Sequence, residues 1–153
     1  VEEVAGDVTV SGNIHIQIKD RRPSGIWCNE GFENDCYFFD DLGVIFKPSF
    51  AFTGSVYTRW KKEGGDLSIG QTVPCLPGCT DPLYVQFLAE HKITEGEVRD
   101  DVYTLHSLDG YVIKASLDPK VVMNHVRMVE EKKVDLKTLE YIDARLENKI
   151  YYK

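Results

Sequence analysis

The residues of this 153-residue chain whose chemistry could go beyond packing are four cysteines, four histidines and several paired carboxylates. The cysteines fall into two local pairs, Cys28/Cys36 and Cys75/Cys79. Cys28 ends the run 25–28 and Cys36 begins the run 36–40, so a disulfide between them would staple the base of a hairpin. Cys75-Leu-Pro-Gly-Cys79 is a tight Pro-Gly turn that could close on itself. The competing chemistry is a zinc site made of all four cysteines, but such sites usually place two residues between paired ligands, and here the intervals are seven and three. Disulfides are the first expectation, with zinc and free buried thiols as the alternatives. His15, His91, His106 and His125 make no HExxH and no metal spacing. There is no G-x-S-x-G, no Walker A and no G-x-G-x-x-G. The pairs Asp40/Asp41, Asp100/Asp101 and Glu130/Glu131 sit at turns, strand starts and a helix end, where solvated surface is the ordinary fate of acidic residues. The chain is therefore read as a binding domain rather than an enzyme, with no cofactor and no metal.

Binding directs attention to the C-terminus. Tyr141, Asp143 and Arg145 alternate with Ile142, Ala144 and Leu146 at the two-residue period of a half-buried strand. Glu147-Asn148 can turn the chain, Asn being tolerant of φ > 0. Residues 149–153, Lys-Ile-Tyr-Tyr-Lys, then form a second strand, guarded only by its two lysines. An outer strand presents unpaired N–H and C=O groups, a template for another chain. The plainer alternative is that this strand pairs within the domain.

The elements that must position this hairpin follow from pattern. With 42% hydrophobic and 28% charged residues the chain can bury a core, in one domain or one and a half small ones. A net charge of -7 argues against nucleic acid as partner. No apolar run approaches the roughly 20 residues that span a bilayer, and no signal-peptide pattern follows Val1. Val8 and Val10 begin a strand, Ser11-Gly12-Asn13 turns, and Ile14, Ile16 and Ile18 alternate with polar residues as a sheet face on a core. Runs at 25–28, 36–40, 44–46 and 55–60 read as an antiparallel meander, with φ > 0 at Gly43. Residues 61–66 and 66–80 read as loops. Asp81-Pro82 and Asp118-Pro119 each start a helix, an Asp cap followed by Pro at the first position. The first helix carries Leu83, Tyr84, Phe87, Leu88 and His91 on its stripe, the second Val121, Val122, His125, Val126 and Val129, with Lys132 and Lys133 closing it. Between them, 101–107 and 111–117 flank the hairpin signal Asp109-Gly110. The expected fold is α+β, an antiparallel sheet with two to three helices on one face.

Leu139-Glu-Tyr-Ile-Asp-x-Arg145, a turn, and Lys149-Ile-Tyr-Tyr-Lys153 resemble the C-terminal strands of the FtsQ/DivIB family of bacterial cell-division proteins. Ile14-His-Ile-Gln-Ile-Lys-Asp-Arg-Arg-Pro-Ser-Gly-Ile-Trp27 resembles the strand that closes that family's membrane-proximal POTRA module, and Asp40-Asp-Leu-Gly43 before Val44-Ile-Phe46 resembles its D-x-x-G turn. The resemblance implies that residues 1–24 are the last part of a POTRA-like module and 25–153 the β domain, the POTRA's first strand and both helices preceding Val1. It implies a non-enzymatic scaffold of septum assembly, docking FtsB/DivIC-like and FtsL-like partners through Leu146, Ile150, Tyr151 and Tyr152. Asp143 and Arg145 are set apart, expected to hold the strand that precedes residues 149–153 in place. The whole protein would be a single-pass membrane protein, this domain extracytoplasmic. The alternative is a secreted or surface adhesion or ligand-binding β domain, with the Cys75–Cys79 loop and the Phe50/Phe52 region rimming a pocket.

Overall fold

A computed structural model describes residues 3–8, 14–29, 35–50, 56–62, 64, 66–75, 78–99, 102–116 and 118–153. The expectations for Ser11-Gly12-Asn13, Phe52, Asp100 and Asp101, and for residues 30–34 between Cys28 and Cys36, lie outside them.

Strands β1 (Glu3–Val8) and β2 (Ile14–Lys19) pair antiparallel as a separate two-stranded sheet, Val8 opposite Ile14 and Glu3 opposite Lys19. Contrary to the expectation of a face on a core, Ile14, Ile16 and Ile18 are 64–70% exposed. A two-stranded ribbon has no second layer of its own to bury an apolar face against.

The rest of the chain builds one nine-stranded sheet from β3 (Gly25–Cys28), β4 (Cys36–Phe39), β5 (Ile45–Pro48), β6 (Arg59–Lys62), β7 (Ile93–Arg99), β8 (Val102–Ser107), β9 (Val112–Ser116), β10 (Tyr141–Leu146) and β11 (Lys149–Tyr152). Helix α1 (Pro82–Glu90) joins β6 to β7, and α2 (Pro119–Glu131) with a 3₁₀ turn (Leu136–Thr138) joins β9 to β10. The strand order is β11-β10-β9-β8-β7-β6-β3-β4-β5.

The sheet is mixed rather than purely antiparallel. The pairs β3/β6, β6/β7 and β9/β10 are parallel, and the remaining five are antiparallel. The physical reason lies in the helices. Parallel neighbours need a crossover, usually helical, and α1 and α2 are two such crossovers. Both step the same way along the sheet between strands of the same direction, so the right-handed rule puts both on one face. Tyr84, Phe87 and Leu88 of α1 and Val122 and Val126 of α2 accordingly share one core cluster. Leu83 and Val121, expected on those stripes, are respectively 67% exposed and half-buried.

Both helices begin as their sequences predict. Asp81 accepts from the N–H groups of Leu83 (2.9 Å) and Tyr84 (3.1 Å), and Asp118 from that of Lys120 (2.9 Å). Both end with a lysine in the left-handed region, Lys92 at φ 51° and Lys133 at φ 58°.

One row of side chains under the helices runs through the sheet register as Trp27, Trp60, Gly96, Leu105, Ile113, Ile142 and Tyr152. A Cβ built on Gly96 would lie 2.5 Å from a ring carbon of Trp60. Trp60 packs edge-on to Tyr103, centroids 5.6 Å apart, and the Tyr103 hydroxyl donates to the Cys75 carbonyl at 3.0 Å. The segment around Cys75 and Cys79 is thereby held over the core. On the opposite face a smaller cluster of Ile26, Cys36 and Phe38 lies under Tyr57.

All four cysteines are in disulfides, Cys28 with Cys36 between directly paired residues of β3 and β4, and Cys75 with Cys79. The zinc and free-thiol alternatives are displaced accordingly. Asp40, expected on the surface, is buried. Its carboxylate accepts from the N–H groups of Leu42 (3.1 Å) and Val44 (2.8 Å) and pairs with Arg21 at 2.9 Å. The turn to Gly43 (φ 75°) is built around it, and the pair ties the segment before β3 to the sheet.

Because the Trp60 ring occupies the space of a side chain at position 96, Gly96→Ala should destabilise the protein by about 2 kcal/mol, the usual cost of overpacking. Thermal denaturation should show a fall of roughly 4–8 °C, while Gly110→Ala tests a turn glycine with open space and φ 99°, where backbone strain alone acts.

Candidate functional site: the free edge of the sheet

A nine-stranded open sheet has two edges, and the chain treats them differently. On the β5 side, the backbone is already paired. Ile45 N–H donates to the Gln71 carbonyl (2.9 Å), Gly70 N–H donates to the Ile45 carbonyl (2.8 Å), and Val73 N–H donates to the Gly43 carbonyl (2.9 Å). Val44 also bridges Thr72. Further along, Pro48 ends the strand and Lys47 lies over the rings of Phe38 and Phe46. These are the devices by which an edge is closed to other chains.

On the β11 side no described segment pairs with the outer side of the strand. Its inner side is anchored to β10. Lys153 N–H donates to the Tyr141 carbonyl at 3.2 Å and Tyr141 N–H to the Lys153 carbonyl at 3.3 Å, so residue 153 faces inward. Main-chain groups alternate direction along an antiparallel strand. Tyr151, opposite Asp143, therefore faces inward too, and the N–H and C=O groups of Ile150 and Tyr152 point out to the free edge. The register shift between Asp143 and Leu146 puts the extra residue in β10 and leaves β11 regular. The turn at Glu147-Asn148 forms without positive φ at Asn148, contrary to the expectation for it.

The four expected contact residues split between two faces. Tyr152 is opposite Ile142, on the helix side, with Lys132 at the end of α2 5.8 Å from its ring centroid. Ile150 shares that side and packs against the main core. Tyr151 is opposite Asp143 on the open face and is 53% exposed. Leu146 sits beside the turn opposite Lys149 and is exposed. A strand added at this edge would meet Ile150 and Tyr152 with one set of alternate side chains and Tyr151 with the other.

The helix side also brings in residues that sequence reasoning missed. Met128, exposed and one turn before Lys132, lies on the same flank of α2. The signal was available: a large apolar residue three positions after buried His125 and beside buried Val129 falls off the core stripe. On the open face Lys114 lies 5.3 Å from the Tyr141 ring centroid, next to the Asp143–Arg145 pair.

Asp143 and Arg145 pair with each other within β10. Arg145 Nε donates to Asp143 at 2.8 Å and Nη2 at 2.5 Å, and its backbone N–H donates to the same carboxylate at 3.3 Å. The guanidinium hydrogen bond holds the Asp143 carboxyl below the usual carboxylate range. Glu140 similarly holds Lys153, 3.1 Å away, above the usual amine range.

Of the other expected sites, His15 is exposed, His106 half-buried on the open face and His125 buried against the core. Among the described residues no three potential metal ligands cluster. Cys79 lines a cavity, but Phe50, 81% exposed, does not. No protein-family model matches this sequence, and no curated protein is detectably similar to it.

A carboxylate with a lowered folded-state pKa stabilises the fold above its unfolded value and loses that contribution as pH falls through the folded one. The β10 irregularity should therefore loosen only below about pH 4, the ordinary carboxylate range. In Asp143→Asn the melting temperature should vary less between pH 5 and pH 3 than in the parent. At pH 7 the substitution should cost less than about 1 kcal/mol, as for an exposed pair.

Proposed function

We propose that this chain is a docking domain that captures an extended segment of a partner protein by strand addition at β11. The single observation that carries the reading is the asymmetry of the two edges. One is closed by Gly70, Gln71, Val73 and Pro48, while among the described residues nothing pairs with the outward groups of Ile150 and Tyr152, which lie beside aromatic side chains. Main-chain hydrogen bonds supply affinity in such a mode and alternate side chains supply specificity. Tyrosine suits the role, burying a large area while its hydroxyl stays wet.

The resemblance to the FtsQ/DivIB family gives the partner class: FtsB/DivIC-like and FtsL-like division proteins, in a non-enzymatic scaffold of septum assembly. On this reading β1 and β2 are the last strands of a POTRA-like module, and the whole protein is anchored by one helix with this domain outside the cytoplasm. The two disulfides fit an oxidising compartment.

Proline substitution along β11 tests the mode directly, because proline deletes one N–H. Ile150→Pro removes an outward donor, and Tyr151→Pro removes one that serves the internal ladder. Titration with DivIC- or FtsB-type segments should show Ile150→Pro, and Tyr151→Ala with Tyr152→Ala, weakening binding by about 30-fold or more, the loss expected of a central aromatic anchor. Melting of Ile150→Pro should stay close to the parent, and that of Tyr151→Pro should fall. Loss of binding only in proportion to unfolding would place the interface elsewhere.

A further inference from the structure

Away from the free edge, a cavity of about 280 Å³ opens where the segment before β3, the turn at Asp41, residues 56–58 and α1 meet. Val85 and Leu88 are among its apolar lining residues, and Asp41 is its acidic one. Its volume falls below the roughly 300–1,000 Å³ of sites for drug-sized molecules and suits a single side chain.

Asp41 is exposed, and among the described residues no cation or donor is paired with it, although its neighbour Asp40 is fully engaged. Val56 at the rim is 80% exposed, and Leu83 beside the lining residue Pro82 is also exposed. An apolar rim of this kind is a surface on which a polypeptide can lie while one of its side chains enters. A chain of net charge -7 also favours a basic visitor.

We infer that this cavity receives a lysine or arginine side chain from a partner polypeptide. The aliphatic stem packs along Val85 and Leu88, as long basic side chains do on apolar surface. The cationic end meets the Asp41 carboxylate at the mouth, where it stays partly solvated. Glutamate is refused by the carboxylate, and an uncharged aliphatic side chain of equal length leaves Asp41 unpaired. The site is independent of strand addition at β11.

The test is an NMR titration of the isotope-labelled chain with three probes: acetyl-Gly-Lys-Gly-amide, the same peptide with norleucine, and 1,5-diaminopentane. The lysine peptide should shift the amide signals of Tyr57, Thr58 and Ala89 while leaving those of β11 unmoved, and should bind about threefold more tightly than the norleucine peptide. Asp41→Asn should abolish that preference without changing the melting temperature, because no described residue pairs with the carboxylate. Equal binding of the two peptides, or a lysine preference that survives Asp41→Asn, overturns the inference. Diaminopentane binding as tightly as the lysine peptide also overturns it, in favour of a site for free amines.

Discussion

The contact between Trp60 and the bare backbone of Gly96 is the constraint on which the centre of the sheet depends. Strands β6 and β7 are parallel, so their register is set by side-chain fit and not by a tight turn. Trp60 lies against Gly96 in that register, and a side chain there would force the ring away. With the ring in place, Tyr103 meets its edge and sends a hydroxyl to Cys75. A Cβ on Gly78 would in turn meet the Tyr103 ring at 2.8 Å. One glycine-aromatic fit thus propagates to the loop that carries the Cys75–Cys79 disulfide.

From this centre the sheet grows outward in two styles. Toward β11 it alternates hairpins with a helical crossover, each step covering the helix-side row. Toward β5 it closes on itself, because the segment carrying Gly70–Val73 leaves β6, returns to the outer strand and occupies its hydrogen-bonding groups. The same connection that covers the core therefore seals one edge. No described segment pairs with the outer side of β11. The face away from the helices is held by polar pairs across strands, Lys61 to Glu97 at 2.6 Å and Arg59 to Glu95 at 3.9 Å. Those pairs keep a solvated face compatible with a regular sheet.

Local features are legible in the sequence, and long-range ones are not. Asp81-Pro82 and Asp118-Pro119 announce their helices because a cap and a fixed φ act within four residues. Asp109-Gly110 and Asp41-Leu-Gly43 announce turns for similar reasons. Strand β7 escapes a local reading, since Ile-Thr-Glu-Gly-Glu-Val-Arg carries a glycine and three charges. Its glycine is explained only by Trp60 from another strand, and two of its charges only by Arg59 and Lys61. For the same reason Lys61 and Lys62, expected in a loop, belong to β6. The parallel pairings are hidden because they depend on which side of the sheet each crossover lands. At the candidate site, the aromatic strand and its outer position can be read locally. The contrast between the two edges cannot, because that rests on Gly70–Val73 reaching a strand more than 20 residues earlier in the chain.

An open edge must also avoid pairing with itself, and the lysines bracketing β11 supply a physical reason why it would not pair well. Two copies joined antiparallel through the outward groups of Ile150 and Tyr152 would set Ile150 opposite the second Tyr152 and Tyr151 opposite its own copy. That register is compatible with the hydrogen-bonding direction found here. It also sets Lys149 directly opposite the second Lys153 at both ends, and like charges directly opposite each other destabilise a strand pair. Glu140 neutralises Lys153 only in part, from an exposed position. Lys132 adds a third positive charge beside Tyr152 on the helix side. The flanking charges that leave the main chain free thus select against the most symmetrical competitor. A partner strand carrying carboxylates at its ends would meet the same lysines as attraction, so charges that disfavour self-pairing would favour and orient an acidic strand.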